Sequence, residues 1–239
     1  DGIAVVSAIF ASDDCALATR KLFVKTRELF GKKRNIIMDM DGTLADSMPF
    51  WKKSAREYAI LRGADIPDNF DEITGVMDLN DYAEYVKNVL GIDTNLEQIT
   101  EAAVEIMNKH YEKDIPAKDG MTELVTREYE AGSRLVVFTA SDRRSVEILL
   151  SHLGIRECFY DIYTVYDVGL KKSDKNSYLK VAELAGMKDT SQVWVYEDIL
   201  RGVKAAKEAG LNVCAVYDED SAGDWKDIKE LADKTLELV

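Results

Sequence analysis

Short apolar runs that alternate with helical patterns are the feature that most constrains the fold of this chain. β-Rich runs cover residues 35–40, 134–139, 162–166, 193–196 and 213–217, and amphipathic stretches accompany the last four. Such alternation is typical of right-handed βαβ units, whose strands pair in parallel beneath helices on both faces. We therefore predict an α/β fold with a Rossmann-like, doubly wound parallel sheet. Helical spacing near the end of the chain predicts a closing C-terminal helix, carried by Trp225, Ile228, Ala232 and Leu236.

One long segment interrupts this rhythm. Between residues 46 and 116 there is no strand signal, and the distance is too long for an ordinary βα connection. Three helical patterns fill it, which predicts a helical domain inserted after the first strand, over the carboxyl ends of the strands where α/β sheets bind ligands. The patterns comprise Trp51, Ala55, Tyr58 and Ala59; Leu79, Tyr82, Ala83, Val86 and Leu90; and Leu96, Ile99, Ala103, Ile106 and His110.

Composition excludes several classes of function. The 31 basic and 44 acidic residues give a net charge of −13, which argues against nucleic acid or anionic lipid as the main partner. No apolar run approaches the ~20 residues of a membrane span. Two histidines cannot form a three-histidine zinc site, and the three cysteines are widely separated, as in reduced proteins of the cytosol. We expect a cytoplasmic protein without a membrane or nucleic-acid partner.

The charge is unevenly distributed. Residues 1–34 hold 7 basic and 4 acidic residues, a net charge of +3, so the remaining chain carries −16. The change falls at the basic run 31–34, just before the first strand of the predicted sheet. We therefore predict a separate N-terminal strand–helix extension over 1–34, a core formed by 35–45 and 117–239, and the helical insert over 46–116.

An aspartate pair at the end of the first strand indicates chemistry. Asp39 and Asp41 are separated by one residue, so both side chains project to the same side, and Gly42 lets the backbone turn. Two close carboxylates repel, so either a divalent cation joins them or one is protonated. Such a pair can supply a nucleophile and a general acid/base. The alternative is two aspartates that only cap a turn.

Four ordered motifs resemble those of the haloacid dehalogenase superfamily. DMDGTLADS (39–47) is similar to its first motif, and LVVFTAS (135–141) to its second. GLKKSD (169–174), followed by Tyr178, is similar to the lysine motif, and VWVYED (193–198) to the acidic fourth motif. The resemblance covers 35–239, and the helical insert matches the small α-helical cap of the β-phosphoglucomutase-like subgroup.

The resemblance implies a Mg²⁺-dependent phosphatase. Asp39 would attack phosphorus to form an aspartyl-phosphate, and Asp41 would protonate the leaving oxygen and then activate water. Mg²⁺ would be held by Asp39, the main-chain carbonyl of Asp41, and Asp198, with Glu197 either a ligand or a support for the bound water or the motif lysine.

The phosphate and the rest of the substrate have their own implied contacts. Lys172 stands six residues before Tyr178, as the family motif requires, although Ser173 replaces the usual proline and leaves Lys171 as a rival. Thr139 and the main-chain amides of Ala140 and Ser141 would hold the phosphoryl oxygens, and Lys172 would pair with both Asp39 and the phosphate. Further predicted substrate contacts are Gly42, Thr43, Trp51 and Lys52; the alternative for Trp51 is packing between cap and core.

The expected substrate is a small phosphate ester. Residues 2–10 and the following helical pattern resemble the last strand and helix of thiamine-phosphate synthase, which implies a fused synthase domain and favours thiamine monophosphate as substrate. The alternative is an ordinary strand and helix appended to the core. Alternative functions are a broad-specificity sugar-phosphate phosphatase, a β-phosphoglucomutase-like phosphotransferase, whose usual histidine near the cap start is absent, and a catalytically inactive binding module.

Overall fold

A six-stranded parallel sheet forms the centre of the molecule. The computed structural model describes residues 34–74, 77 and 79–237. The strands lie in the order β3-β2-β1-β4-β5-β6, which confirms the predicted doubly wound α/β fold. The strands are β1 (Asn35–Met38), β2 (Arg134–Thr139), β3 (Phe159–Thr164), β4 (Val193–Glu197), β5 (Asn212–Val216) and β6 (Lys234–Leu236).

Helices follow the strands and also fill the long segment after β1. Three short 3₁₀ turns, at Arg156–Cys158, Thr190–Gln192 and Glu219–Asp224, complete the regular structure of the described residues. The α-helices are α1 (Met48–Leu61), α2 (Phe70–Thr74), α3 (Leu79–Asn88), α4 (Leu96–Tyr111), α5 (Met121–Glu130), α6 (Arg143–His152), α7 (Val165–Val168), α8 (Lys175–Leu184), α9 (Leu200–Glu208) and α10 (Trp225–Leu231).

Apolar side chains of the central strand enter two hydrophobic clusters. Ile36 and Met38 belong to one cluster, and Ile37 belongs to the other. This division follows from the alternation of side chains along a strand. Ile37 pairs in register with Val136 of β2 and Val195 of β4, so β1 is covered on both edges and both faces. The sequence of β1 is therefore apolar throughout, as expected of a buried parallel strand.

The end of the chain differs from the prediction. The predicted helical pattern extended to Leu236, but α10 ends at Leu231 and β6 adds an edge strand, with Lys234 opposite Cys214. A three-residue edge strand is too short to show a periodic pattern of its own, so this prediction was wrong beyond Leu231. The strand predicted over 162–166 also lies earlier, because Thr164 caps α7 by accepting a hydrogen bond from the main-chain N–H of Asp167.

The segment between β1 and β2 has its own hydrophobic cluster, centred on Tyr58, Phe70, Tyr82 and Ile99 of α1–α4. The chain enters and leaves this segment side by side, because the N–H of Asp46 donates to the carbonyl of Pro116 at 3.0 Å. The short helix α2 was not predicted. Division of the chain into an N-terminal extension, a core and a cap remains a prediction.

The predicted N-terminal strand and helix, together with Cys15, lie outside the described residues. Cys158 and Cys214 are buried and free. Among the described helices, none is both long enough and apolar enough to cross a membrane.

Candidate active site

Polar side chains gather where three adjacent strands end. Asp39 directly follows β1, Thr139 is the last residue of β2, and Glu197 ends β4 before Asp198. All four are buried, with exposed fractions between 0% and 7%. The N–H of Asp39 donates to the carbonyl of Tyr196 at 3.0 Å, which continues the β1–β4 pairing up to the aspartate. Parallel pairing therefore brings the first, second and fourth sequence motifs to one edge of the sheet.

A tight loop after β1 holds Asp198 in place. Gly42 has φ +77°, a left-handed conformation that favours glycine, and a Cβ atom there would overlap the Asp198 carboxylate. The hydroxyl of Thr43 donates to Oδ1 of Asp198 at 2.8 Å. Gly42 and Thr43, predicted as substrate contacts, thus lie against the carboxylate of Asp198.

Lys172 forms the centre of the charged cluster. Its Nζ lies 2.7 Å from Oδ1 of Asp39 and 2.7 Å from Oε2 of Glu197, and its side chain is 7% exposed. The hydroxyl of Tyr178 donates to the same oxygen of Glu197 at 2.9 Å. Of the two rival lysines, Lys172 contacts Asp39, whereas Lys171 is exposed.

Burial and like charge shift the pKa values of this cluster. Burial, followed by repulsion from Glu197, raises the pKa of Asp39 well above its usual range. The same two causes raise the pKa of Asp198 to about 7. Burial by itself would lower the pKa of Lys172, but the carboxylates of Asp39 and Glu197 outweigh it and raise that pKa. Three buried carboxyl groups therefore share one ammonium group.

The donor set fits a hard divalent cation. One carboxylate oxygen each from Asp39, Glu197 and Asp198 can lie within 4.8 Å of one another. Carboxylate oxygens are the ligands that Mg²⁺ and Ca²⁺ prefer. A bound cation would also offset the repulsion from Glu197 that, after burial, raises the pKa of Asp198. Glu197 contacts the side chains of Lys172 and Tyr178, whereas Lys172 contacts one oxygen of Asp39 and Thr43 one oxygen of Asp198.

Asp41 lies beside this cluster and accepts hydrogen bonds from four side chains. The donors are the hydroxyls of Ser47 (2.6 Å) and Ser141 (2.6 Å), the indole N–H of Trp51 (3.3 Å), and the phenol of Tyr111. Trp51 and Tyr111 belong to α1 and α4 of the helical segment. Tyr111 was not predicted as a site residue, because its only signal in the sequence is the apolar spacing of α4.

The loop after β2 holds the residues that are predicted to contact phosphate. The main-chain N–H of Ser141 donates to Oγ1 of Thr139 at 3.1 Å, and Ala140 is exposed at the site. Asp142 then caps α6 by accepting from the N–H of Ser145. The structure thus brings Thr139, Ala140 and Ser141 beside Asp41.

An open cavity of about 550 Å³ gives access to these groups. Its walls include Asp39, Asp41, Thr139, Lys172 and Asp198. Two exposed cations at its wall, Lys171 and Arg201, have no ion-pair partner within the part of the chain that the structure describes. Lys52, predicted as a substrate contact, instead forms an ion pair with Asp220, which also lines the cavity.

The family of this chain follows from its match to a model of a known protein family. The model of the haloacid dehalogenase-like hydrolases matches residues 36–216. The chain belongs to this family. The matched range runs from β1 to β5 and includes Asp39, Asp41, Thr139, Lys172 and Asp198. The family predicted from the four motifs is thereby confirmed.

Individual relatives are more distant. Fructose-1-phosphate phosphatase YqaB of Escherichia coli is 26% identical over 79% of this chain and 98% of its own length. Protein SUPPRESSOR OF QUENCHING 1, chloroplastic, of Arabidopsis thaliana is 29% identical over 78% of this chain, but the chain spans only 18% of that protein. The named phosphatases among these relatives support a phosphatase, the enzyme class predicted from the motifs.

Solved structures agree on the fold. The structure of a proposed β-phosphoglucomutase from Thermotoga maritima superposes with a TM-score of 0.72 at 22% identity, covering 85% of this chain and 94% of that one. At this identity the similarity shows the fold alone.

Proposed function

We propose that this hydrolase cleaves small phosphate monoesters with the help of Mg²⁺ and through an aspartyl-phosphate on Asp39. One observation carries the proposal: Asp39 lies in a buried cluster with Asp198, Glu197 and Lys172, and that cluster opens into a cavity lined by Asp41. A nucleophile, its counter-charge, a proton donor and a cation site are thus within reach of one bound phosphate.

Each group has a role in the proposed reaction. A carboxylate oxygen of Asp39 attacks phosphorus while Asp41 gives a proton to the departing ester oxygen. Water then attacks the aspartyl-phosphate, and Asp41 takes the proton that water loses. Lys172 and Thr139 bind phosphoryl oxygens, together with the amides of Ala140 and Ser141. Because Asp39 and the phosphate are both negative, the ammonium group of Lys172 lowers the cost of their approach.

Mg²⁺ would be held by Asp39, Asp198 and the main-chain carbonyl of Asp41, with Glu197 as an additional ligand or support. When bound, it supplies positive charge that neutralises the phosphoryl oxygens and orients Asp39. This assignment rests on the oxygen donor set of the cluster.

Two substrate classes are in competition. The likeness to a fructose-1-phosphate phosphatase favours phosphorylated sugars or polyols. Thiamine monophosphate rests only on the resemblance of the N-terminal segment to thiamine-phosphate synthase. Both classes carry an anionic phosphate group, and the exposed cations Lys171 and Arg201 at the cavity wall suit the phosphate of either one.

A substrate panel tests the proposal. The purified full chain is assayed with p-nitrophenyl phosphate, fructose 1-phosphate, a hexitol phosphate and thiamine monophosphate, with and without Mg²⁺ after treatment with a chelator. We expect Mg²⁺-dependent release of phosphate, faster from sugar or polyol esters if the relatives are the better guide. Phosphate transfer to an added sugar phosphate in place of water would indicate a mutase.

Asp39→Asn is the matched control, because it keeps the shape of the side chain and removes the nucleophile. We expect it to abolish turnover and to prevent a covalent phosphoryl adduct, which mass spectrometry of acid-quenched wild-type protein should detect. Equal activity of the variant would exclude Asp39 as the nucleophile.

A further inference from the structure

The two oxygens of Asp41 lie in different surroundings. Oδ1 accepts three hydrogen bonds, from the hydroxyl of Ser47, the indole N–H of Trp51 and the phenol of Tyr111. Oδ2 accepts one, from the hydroxyl of Ser141 at 2.6 Å. Ser141 is a rotatable hydroxyl that can either donate or accept. Oδ2 is therefore the oxygen that can gain or lose a proton while Asp41 keeps its hydrogen bonds to the neighbouring side chains.

We infer that Tyr111 is a positioning residue for Asp41: its phenol, supported by Trp51, fixes Oδ1 so that the proton of the reaction is given and taken at Oδ2. This inference rests on the proposed phosphatase function. It assigns a part in the acid–base step to a residue of α4, a helix outside all four sequence motifs.

The surroundings of Tyr111 make it suited to this role. The residue is fully buried, and its ring packs in the same hydrophobic cluster as Met107 and Ile115. The indole N–H of Trp51 also donates to the phenol oxygen at 3.2 Å, so the phenol has a donor on one side and Asp41 on the other. A phenol hydroxyl both donates and accepts, so Tyr111 can accept from Trp51 while it donates to Oδ1 of Asp41.

The proposed step balances without a proton from Tyr111. In the first half, the Oδ2–H bond of Asp41 breaks as its proton moves to the ester oxygen, the ester P–O bond breaks, and an oxygen of Asp39 bonds to phosphorus. In the second half, water bonds to phosphorus, its proton moves to Oδ2, and the bond between Asp39 and phosphorus breaks. Tyr111 only holds Asp41 in line with the oxygen that leaves or attacks.

Leaving-group dependence tests this inference. Nitrophenolate departs without a proton, whereas an alkoxide requires one, so a misplaced general acid affects alkyl esters selectively. For Tyr111→Phe we expect kcat/KM to fall roughly tenfold or more for the alkyl phosphate of the panel that wild type hydrolyses fastest. For p-nitrophenyl phosphate, whose kcat/KM reports formation of the aspartyl-phosphate, we expect a change of less than about twofold.

Tyr58→Phe is the matched control. Tyr58 is also buried in the helical segment, but its hydroxyl bonds Thr94 at 2.8 Å, so its loss should leave the ratio of the two kcat/KM values unchanged. Trp51→Phe removes the second donor and should shift the ratio in the same direction as Tyr111→Phe, which keeps the test valid if one variant folds poorly.

The outcomes separate the two proposals. An equal loss on both esters in Tyr111→Phe and Trp51→Phe, or no loss on either, would overturn the inference and leave the phosphatase function intact. Failure of wild type to hydrolyse any ester of the panel would overturn the proposed function and the inference with it.

Discussion

Lys172 lies 2.7 Å from Oδ1 of Asp39, although a helical segment and two strands separate the two residues along the chain. This contact requires the side chain of Lys172 to be almost fully buried. A second contact, with Glu197, offsets the cost of burying the ammonium charge. A buried ammonium group between two carboxylates gives the nucleophile a fixed counter-charge before any phosphate binds.

Replacement of this lysine should remove that counter-charge. We expect Lys172→Met to lower kcat/KM for p-nitrophenyl phosphate by about 100-fold or more, because a preorganised positive charge is lost at the phosphoryl oxygens. Lys171→Met changes an exposed side chain and should cost less than about tenfold. Steady-state kinetics on folded variants, checked by thermal melting, would decide, and a loss in Lys171→Met as large as in Lys172→Met would contradict the assignment.

Metal binding should depend on pH because of Asp198. In the metal-free protein its pKa is about 7, so below pH 7 the carboxyl group holds a proton that a cation must displace. Because the pKa of Asp39 is raised as well, the apparent affinity for Mg²⁺ should fall about tenfold or more for each pH unit below 7, and level off only once both carboxyl groups are ionised. Calorimetric titration at several pH values would measure this, with proton release appearing on the acid side.

Thr43→Val provides the control for this prediction. The hydroxyl of Thr43 stabilises the ionised form of Asp198, so its removal should raise the pKa of Asp198 further. The affinity for Mg²⁺ should then begin to fall at a higher pH than in the wild type. An affinity that is constant from acid to neutral pH in both proteins would argue against Asp198 as a metal ligand.

A glycine in α9 is predicted to be necessary for stability, because a neighbouring side chain leaves no space for a Cβ atom. A Cβ atom at Gly202 would lie 2.5 Å from Cδ of Glu197, which is fully buried and cannot withdraw. Alanine in a helix usually stabilises by about 1 kcal/mol relative to glycine, but here we expect Gly202→Ala to destabilise by about 2 kcal/mol. Gly223→Ala, where a Cβ would meet open space, should be near neutral in the same denaturant titration.

A buried ion pair outside the site is predicted to matter for stability. Lys118 lies 2.7 Å from Asp218, and the two side chains are 11% and 4% exposed. Lys118→Met leaves the Asp218 charge buried without its partner and should lower the free energy of unfolding by about 3 kcal/mol. The exposed pair Lys180–Glu183 is the comparison, and Lys180→Met should change the free energy of unfolding by less than about 1 kcal/mol. Similar losses in chemical denaturation would show that burial is not the cause.

Most of the sheet could be predicted from local patterns. The runs at 134–139 and 193–196 coincide with β2 and β4 within one residue, because buried parallel strands are apolar along their whole length. β6 was missed and the last helix was drawn too long, because a short edge strand such as Lys234–Leu236 is fixed by pairing with β5 and has little pattern of its own.

The candidate site divides in the same way. Sequence alone determined which side chains stand at the strand ends. Asp39, Thr139 and Asp198 each lie at the end of a strand that its apolar run predicts, and each belongs to a family motif. The pairing of Lys172 with Asp39 was implied by the family resemblance, and the structure places the two side chains in contact. Only the tertiary structure decided that Trp51 of α1 and Tyr111 of α4 donate to Asp41. The reason is physical: strand ends follow from local periodicity, whereas these contacts depend on which face of a distant segment becomes buried when the chain packs.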